Sequence, residues 1–434
     1  MKVEKGKSNR NERGSVLAFV LIIGICLSIL GWGMLQMGFG SRVNSAISVS
    51  GITAREAADA GISHALQEMN SRFVFGAPFD NSWLPFQSPQ ITLPNSGASY
   101  NYLIQGPLSG PTDFYWLIKS TGTTDRQTKI VYAQTGLRNL FDYALIVTDK
   151  IVLKAGTTVD WYDSSGTPPA QYNLKIGTNS IISPPAGGID LGTGSIVRGD
   201  VLVGIGGDPD IVIREGGGGA ITGLRYSLSE PFVFKQINAP TSYDATITPP
   251  TGNNSNITAP AGYTLENPYT IETSSISIGQ SGRLTVVGHV ALHVTGDMSF
   301  GQAAELYVGD PNVPPGDPSF IPSSLDIYLD GNLYGQNAGG INNLSQIPGY
   351  FKLLGTGDPY QHWDIKNSRT FYGVYYGPNA DIIIRADADI YGSVSGHSYD
   401  MRNSGNMHYD VKLADLSPYD IGFGIDRWWE ETGP

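Results

Sequence analysis

Four charged side chains late in the chain have types and spacing that chemistry can use. Asp381, Arg385, Asp387 and Asp389 share one parity of an alternating run, opposite Ile382, Ile384, Ala386, Ala388 and Ile390. A strand over this stretch would wet the charges and bury the apolar side. Outward carboxylates beside a guanidinium can hold a cation or a charged ligand. Charges on a wet strand face are more often plain solvent contacts, so the group is kept as a candidate ligand surface and no catalytic residue is assigned. Tyr372, Tyr375 and Tyr376 belong to the same surface. Pointing outward, they would form an amphipathic platform for sugar rings or another protein; pointing inward, they would fill a core.

Other constellations lose their chemistry on inspection. His289 and His293 lie four residues apart, about 13 Å along a strand, too far to share a zinc ion whose bonds are about 2 Å. Gly204-Ile205-Gly206-Gly207-Asp208-Pro209 lacks the third glycine of a dinucleotide loop and the lysine of a phosphate loop, and no helical pattern follows. There is no Gly-x-Ser-x-Gly elbow. A single cysteine, Cys26, excludes a disulfide framework or a multi-thiolate metal site within one chain. The net charge of -12 is the wrong sign for nonspecific nucleic-acid binding. No cofactor, no metal and no enzyme activity are expected.

The elements that must carry these residues are mostly short strands. With 40% hydrophobic and 15% charged residues the chain is a folded one, and its 55 glycines and 27 prolines demand many tight turns. Tyr100 to Gln105, Phe114 to Ser120 and Lys129 to Gln134 alternate as three strands of a small sheet. From about Leu140 the strands become short, apolar and Gly-ended, as in Val201-Leu202-Val203-Gly204 and Leu306-Tyr307-Val308-Gly309. Short strands without intervening helices suggest a sandwich, a barrel or a β-helix, and the lack of a hairpin code favours the last. The Pro/Asn-rich stretch 231–268 reads as an irregular excursion that splits the solenoid, with a second from Gly309 to Ser323. Trp428-Trp429 reads as a cap on the final coil.

The N-terminus is built differently. Five basic and two acidic residues give the first fourteen positions a charge of +3, leaving -15 for the rest. Residues 15–41 then carry no charge and include Val16, Leu17, Phe19, Leu21, Ile22, Ile23, Ile25, Leu27, Ile29 and Leu30. As a helix this stretch is about 40 Å long, enough to span a bilayer. The basic flank would stay in the cytoplasm and the bulk of the chain would cross to the other side. Gly31, Gly33, Gly38 and Gly40 mark the section where that helix is weakest, or where small residues allow close helix packing. No proline interrupts Arg42 to Phe73, where small or apolar residues recur at Ala54, Ala58, Ile62, Ala65 or Leu66, Met69 and Phe73. One long helix accounts for both halves, the second presenting an apolar stripe to a folded partner.

Arg13-Gly14-Ser15-Val16-Leu17-Ala18-Phe19-Val20-Leu21 resembles the class III signal of type IV pilin-like proteins. Ala54-Arg55-Glu56-Ala57-Ala58-Asp59-Ala60-Gly61-Ile62 resembles the matching patch of PilX-type minor pilins. The resemblance implies a prepilin peptidase cut between Gly14 and Ser15 and packing of Ile62, Leu66 and Met69 on a pilin-like sheet. Phe19 stands at the fifth mature position, where most major pilins carry Glu, which favours a tip or priming place over the filament shaft. Residues 197–204, 371–381, 390–394 and 408–410 resemble an uncharacterised β-solenoid domain found behind PilX-type N-termini. The acidic group also resembles the equipment of β-helix lyases acting on acidic polysaccharides, with carboxylates for calcium and arginine as base.

The expected fold is mainly β: a transmembrane N-terminal helix, a small pilin-like antiparallel sheet, then a β-solenoid. The expected boundaries are a leader over 1–14, the helix over 15–72, the sheet region over 73–138 and solenoid over 139–230. The excursion follows over 231–268, then the second solenoid part with its C-terminal cap over 269–434. The function implied is a membrane-anchored minor pilin-like subunit of a type IV pilus or pseudopilus that displays its solenoid for adhesion. Its partners would be the membrane, prepilin peptidase, other pilin or pseudopilin subunits and surface polysaccharide. Its place would be the bacterial inner membrane, and the cell surface after assembly. The alternative is a membrane-tethered polysaccharide-binding or polysaccharide-degrading β-helix protein.

Overall fold

The computed structural model describes residues 12–431 other than 74–78, 110–113, 168, 170, 229–230, 314, 337–338, 359, 367–368, 386–388, 404 and 416–419. The chain is mainly β. A long N-terminal helix packs on a small antiparallel sheet, and a large parallel sheet winds as a solenoid. Two compact units divide it: Met1–Val74, Phe79–Leu137 and Gly422–Pro434 form one, and Arg138–Ile421 is the body of the other.

In the first unit the helix runs unbroken over Glu12–Ser71, about 90 Å at 1.5 Å per residue. It stays helical through Gly31, Gly33, Gly38 and Gly40, none of which has a neighbour within 4 Å of a would-be Cβ. The three expected strands are Ser99–Ser109, Phe114–Thr123 and Thr128–Asn139, joined as antiparallel neighbours. Short strands Phe86–Gln87 and Ile91–Thr92 both pair with the first of them. The strand beyond Thr128–Asn139 is Asp420–Glu430. Tyr132 stacks on Trp429, and the Glu431 N–H donates to the Ile130 carbonyl at 2.9 Å, so the two strands run antiparallel. The Trp428-Trp429 segment, read above as a solenoid cap, therefore belongs to this sheet. Its anchor is Phe423, buried between the rings of Phe79 and Trp116 at 4.6 and 4.7 Å. The solenoid is thus an insertion between two neighbouring strands of one sheet.

In the second unit parallel pairing stacks successive coils in register. One ladder runs from Ala245–Thr246 through Tyr269–Thr273, His289–Val294, Ser324–Leu329, Phe351–Gly355, Phe371–Ile384 and Ile390–Met401. It continues without a break into Leu145–Val147, Lys175–Thr178, Asp200–Val203 and Arg225–Ser227. Spatial order and chain order therefore differ. The chain enters in mid-stack, winds to one end at Arg225–Ser227, restarts at the other end with Ala245–Thr246, and winds back to close on its own first coil. Met407–Asp410 pairs there with Thr158–Tyr162, and the Tyr409 hydroxyl donates to the Phe141 carbonyl at 2.7 Å.

The link between the two ends is a strap over residues 231–244. Phe232 exchanges two hydrogen bonds with the Asn179 side chain, Tyr376 Oη donates to the Lys235 carbonyl at 2.8 Å, Gln236 reaches Thr356, and Tyr243 reaches His293. Those partners lie in order along the stack, with other layers between some of them, so the strap runs along the stack across the strands. The same stretch that reads as irregular also holds two short ladder strands, Ala245–Thr246 and Thr251–Thr258. Under the strap both faces of a strand are buried, as in Leu145–Val147 and Phe351–Gly355.

Candidate functional site

The helix divides into two chemically distinct halves. From Phe19 to Phe39 its large apolar side chains are exposed, Phe19 by 65% and Phe39 by 73%. Its most apolar 18-residue window has a mean hydropathy of 2.1 and buries nothing within the protein. Among the described residues this is the one helix long and apolar enough to cross a membrane. Phe19, Leu21, Ile22, Ile23, Ile25, Leu27, Ile29 and Leu30 all lie in this exposed section. Gly14, Ser15, Val16 and Leu17 lie on the same helix, whereas the leader residues 1–11 fall outside the described residues.

From Ser50 onward the helix turns inward. Ser50 Oγ meets Thr124 Oγ1 at 2.5 Å, and Ala54, Ala57, Ala58, Gly61, Ile62, Ala65 and Met69 are buried against the sheet. Leu66 packs there half-buried. Small residues permit a close approach: at Gly122, on the facing strand, a Cβ would stand 2.5 Å from Ala58 N and nearer still to the Ala54 carbonyl.

Polar contacts bind the last strand to this half. Glu430 pairs with Lys129 at 2.6 Å and Arg55 at 3.6 Å, and the Arg55 guanidinium lies 5.0 Å from the Trp428 ring centre. The Lys129 bond holds the Glu430 carboxyl below its usual range. Burial pushes the Asp59 carboxyl up, against the pull of Arg55 and a hydrogen bond from Trp428, and its Oδ1 has no hydrogen-bond partner among the described residues. Asn70 brackets Phe423, donating to its carbonyl at 3.2 Å and accepting from its N–H at 2.6 Å.

The charged and aromatic solenoid residues do not form one site: Tyr372 and Asp389 converge beside Tyr391 and His408, and the others lie apart. Asp381 accepts from Ser398 Oγ at 2.5 Å and lies 3.0 Å from His397 Nδ1. Arg385 pairs with Asp364 at 2.8 Å, and Asp389 accepts from Asn406. Asp387 lies outside the described residues. The run is not one strand: a strand ends at Ile384 and the next begins at Ile390, so Asp389 heads a different coil. Tyr375 and Tyr376 are corrected from surface to interior. Tyr375 points into the core, and Tyr376, on the outward parity, is sealed by the strap. Burial pushes both phenols far up. Tyr372 is half-buried and stacks on Tyr391 at 4.7 Å, which in turn packs on His408 at 4.4 Å. The stack covers one face of the Tyr372 ring and holds Tyr391 between Tyr372 and His408.

His289 and His293 have separate partners, Ser324 for one and Tyr243 with Asp330 for the other. No group of three metal-ligating side chains occurs among the described residues. The Gly204 loop is followed by a single helical turn, Pro209–Val212, capped by Asp208. His408, which in sequence stands isolated and reads as a surface or turn residue, is held between Asp160 at 2.5 Å and Asp389 at 3.7 Å where the solenoid closes. Its sequence signal is confined to the parity that places Tyr391 and His408 outward.

Among known proteins, a family model described as a domain of unknown function (DUF7305) matches residues 269–416. That span holds most coils on one side of the closure and stops short of the helix-bearing unit. No curated protein matches the chain. Among solved structures, the chain is similar to the crystal structure of the competence-associated pilin ComZ from Thermus thermophilus. The two are 13% identical, 88% of this chain and 97% of that one are covered, and the TM-score is 0.25, too low to show a shared fold.

Proposed function

We propose that the chain is a membrane-anchored, pilin-like minor subunit of a type IV pilus or pseudopilus that carries a solenoid outside the membrane for adhesion, and that it is not an enzyme. The observation behind this reading is the single helix with an exposed apolar half and a small-residue half docked on an antiparallel sheet. Such a helix can sit in lipid as a precursor and among other apolar helices after extraction, while the docked half keeps the head attached. The residues around Gly14 and Ser15 add the processing signal. The inserted body, Arg138–Ile421, is larger than the unit that carries the helix. So large a head would crowd a densely packed shaft, which favours a tip or priming position. Asp381, Arg385 and Asp389, each engaged with a different neighbour, lend no support to polysaccharide cleavage.

In membranes that contain a prepilin peptidase, mass spectrometry should find the mature chain starting at Ser15, and Gly14→Ala should leave the precursor uncut. An identical, unprocessed N-terminus for both proteins would refute the reading. So would release of the chain from membranes by salt alone.

A further inference from the structure

We propose that the strand Asp420–Glu430 is a completion latch: closure of the solenoid delivers it to the sheet, so the unit that docks the helix is finished only when the inserted body has folded. The inference rests on the fold and stands whether or not the chain enters a filament.

Three observations carry it. The last strand pairs with Thr128–Asn139, so its neighbour in the sheet precedes it by the whole solenoid. The solenoid closes on itself, with Met407–Asp410 beside Thr158–Tyr162 and Tyr409 bonded to Phe141, which holds the chain's entry and exit together. Finally, the strand fills a prepared place. Phe423 enters between Phe79 and Trp116, Asn70 satisfies both of its backbone groups, and Glu430 neutralises Lys129 and Arg55. Without it, Thr128–Asn139 is an edge with unpaired backbone groups, and an aromatic slot stands open.

Chain statistics set the size of the coupling. With the solenoid unfolded, residues 140–419 form a loop of about 280 residues, and the chance that its ends meet falls as roughly the −3/2 power of length. Compared with a link of about ten residues, which the closed solenoid emulates, local concentration of the strand drops on the order of 100-fold.

The test is hydrogen exchange on the full chain in detergent micelles. Val159→Pro disrupts the strand at the closure, where Val159 is fully buried opposite Met407 and its N–H faces Ile196 on the neighbouring coil. Protection of the Thr128–Asn139 amides that face the last strand should fall on the order of 100-fold in this variant, and Tyr409→Phe should give a smaller loss. A disulfide between Val131→Cys and Glu430→Cys, which stand opposite each other in the register set by Tyr132 beside Trp429 and Ile130 beside Glu431, in a Cys26→Ser background, should restore protection even with Val159→Pro. Wild-type protection in Val159→Pro without the disulfide would overturn the proposal. Failure of the disulfide to restore protection would overturn it too, because the sheet would then depend on the solenoid by some other route.

Discussion

Gly122→Ala is the most incisive single change in the helix-bearing unit. The added Cβ would meet the Ala58 N at 2.5 Å and press harder on the Ala54 carbonyl, both backbone atoms of the helix. Neither can rotate away, so the helix must lift by about an ångström along a stripe where Ala54, Ala57 and Ala58 are fully buried. Overpacking a core costs about 1–3 kcal/mol, and backbone on both sides places this case at the upper end. About 3 kcal/mol corresponds to roughly 150-fold faster exchange of the Phe114–Thr123 amides by local opening. Gly61→Ala is the control. There the Cβ meets the Ser120 hydroxyl and Tyr100 Cδ2, side-chain atoms that can turn aside, and alanine returns about 1 kcal/mol of helix propensity. The net change should lie within about 1 kcal/mol of zero, and Ser120→Ala combined with Gly61→Ala should be at least as stable as wild type. Exchange rates unchanged by Gly122→Ala, or raised equally by both single changes, would refute the close approach of helix and sheet.

Other expectations concern the solenoid. Burial lowers the His408 pKa, but the Asp160 hydrogen bond and the charges of Asp160 and Asp389 outweigh it, so the folded value stands above the usual 6.5. The resulting stability is fully present below pH 6.5 and is lost as pH rises through the folded value. Melting from pH 5 to 8.5 should therefore show wild type losing stability relative to His408→Gln, and parallel profiles would exclude the contact. Ile237→Ala, at a buried strap position, should cost about 3 kcal/mol in urea denaturation. Tyr376→Phe should cost about 1 kcal/mol through the lost bond to Lys235. Changing Tyr372 to Ala should leave binding to any glycan panel unchanged, because the side chain is half-buried with one ring face on Tyr391.

What could be read from the sequence followed local periodicity. The uncharged run, the spacing of Ala54, Ala58, Ile62 and Met69, and the three alternating strands each carry their own pattern within a dozen residues. Features that depend on distant partners were invisible. Gly422-Phe423-Gly424 has no local mark of belonging beside Thr128–Asn139, and its attraction is an aromatic slot formed by Phe79 and Trp116. Tyr376 has outward parity, and no local rule reveals that residues 231–244 come back to cover it. The alternation at Asp381–Asp389 misled for the opposite reason: its parity persists across the end of one strand and the start of another.

The longitudinal strap changes how the solenoid should fail under load. A plain stack of coils is held by nearest-neighbour terms and can peel from either end, one layer at a time. Here a single segment is fastened at Asn179, Tyr376, Thr356 and His293, so a terminal layer cannot leave without dragging on layers far from it. Such cross-bracing predicts abrupt rupture of the whole body when it is pulled, where an unbraced stack would give a staircase of small yields.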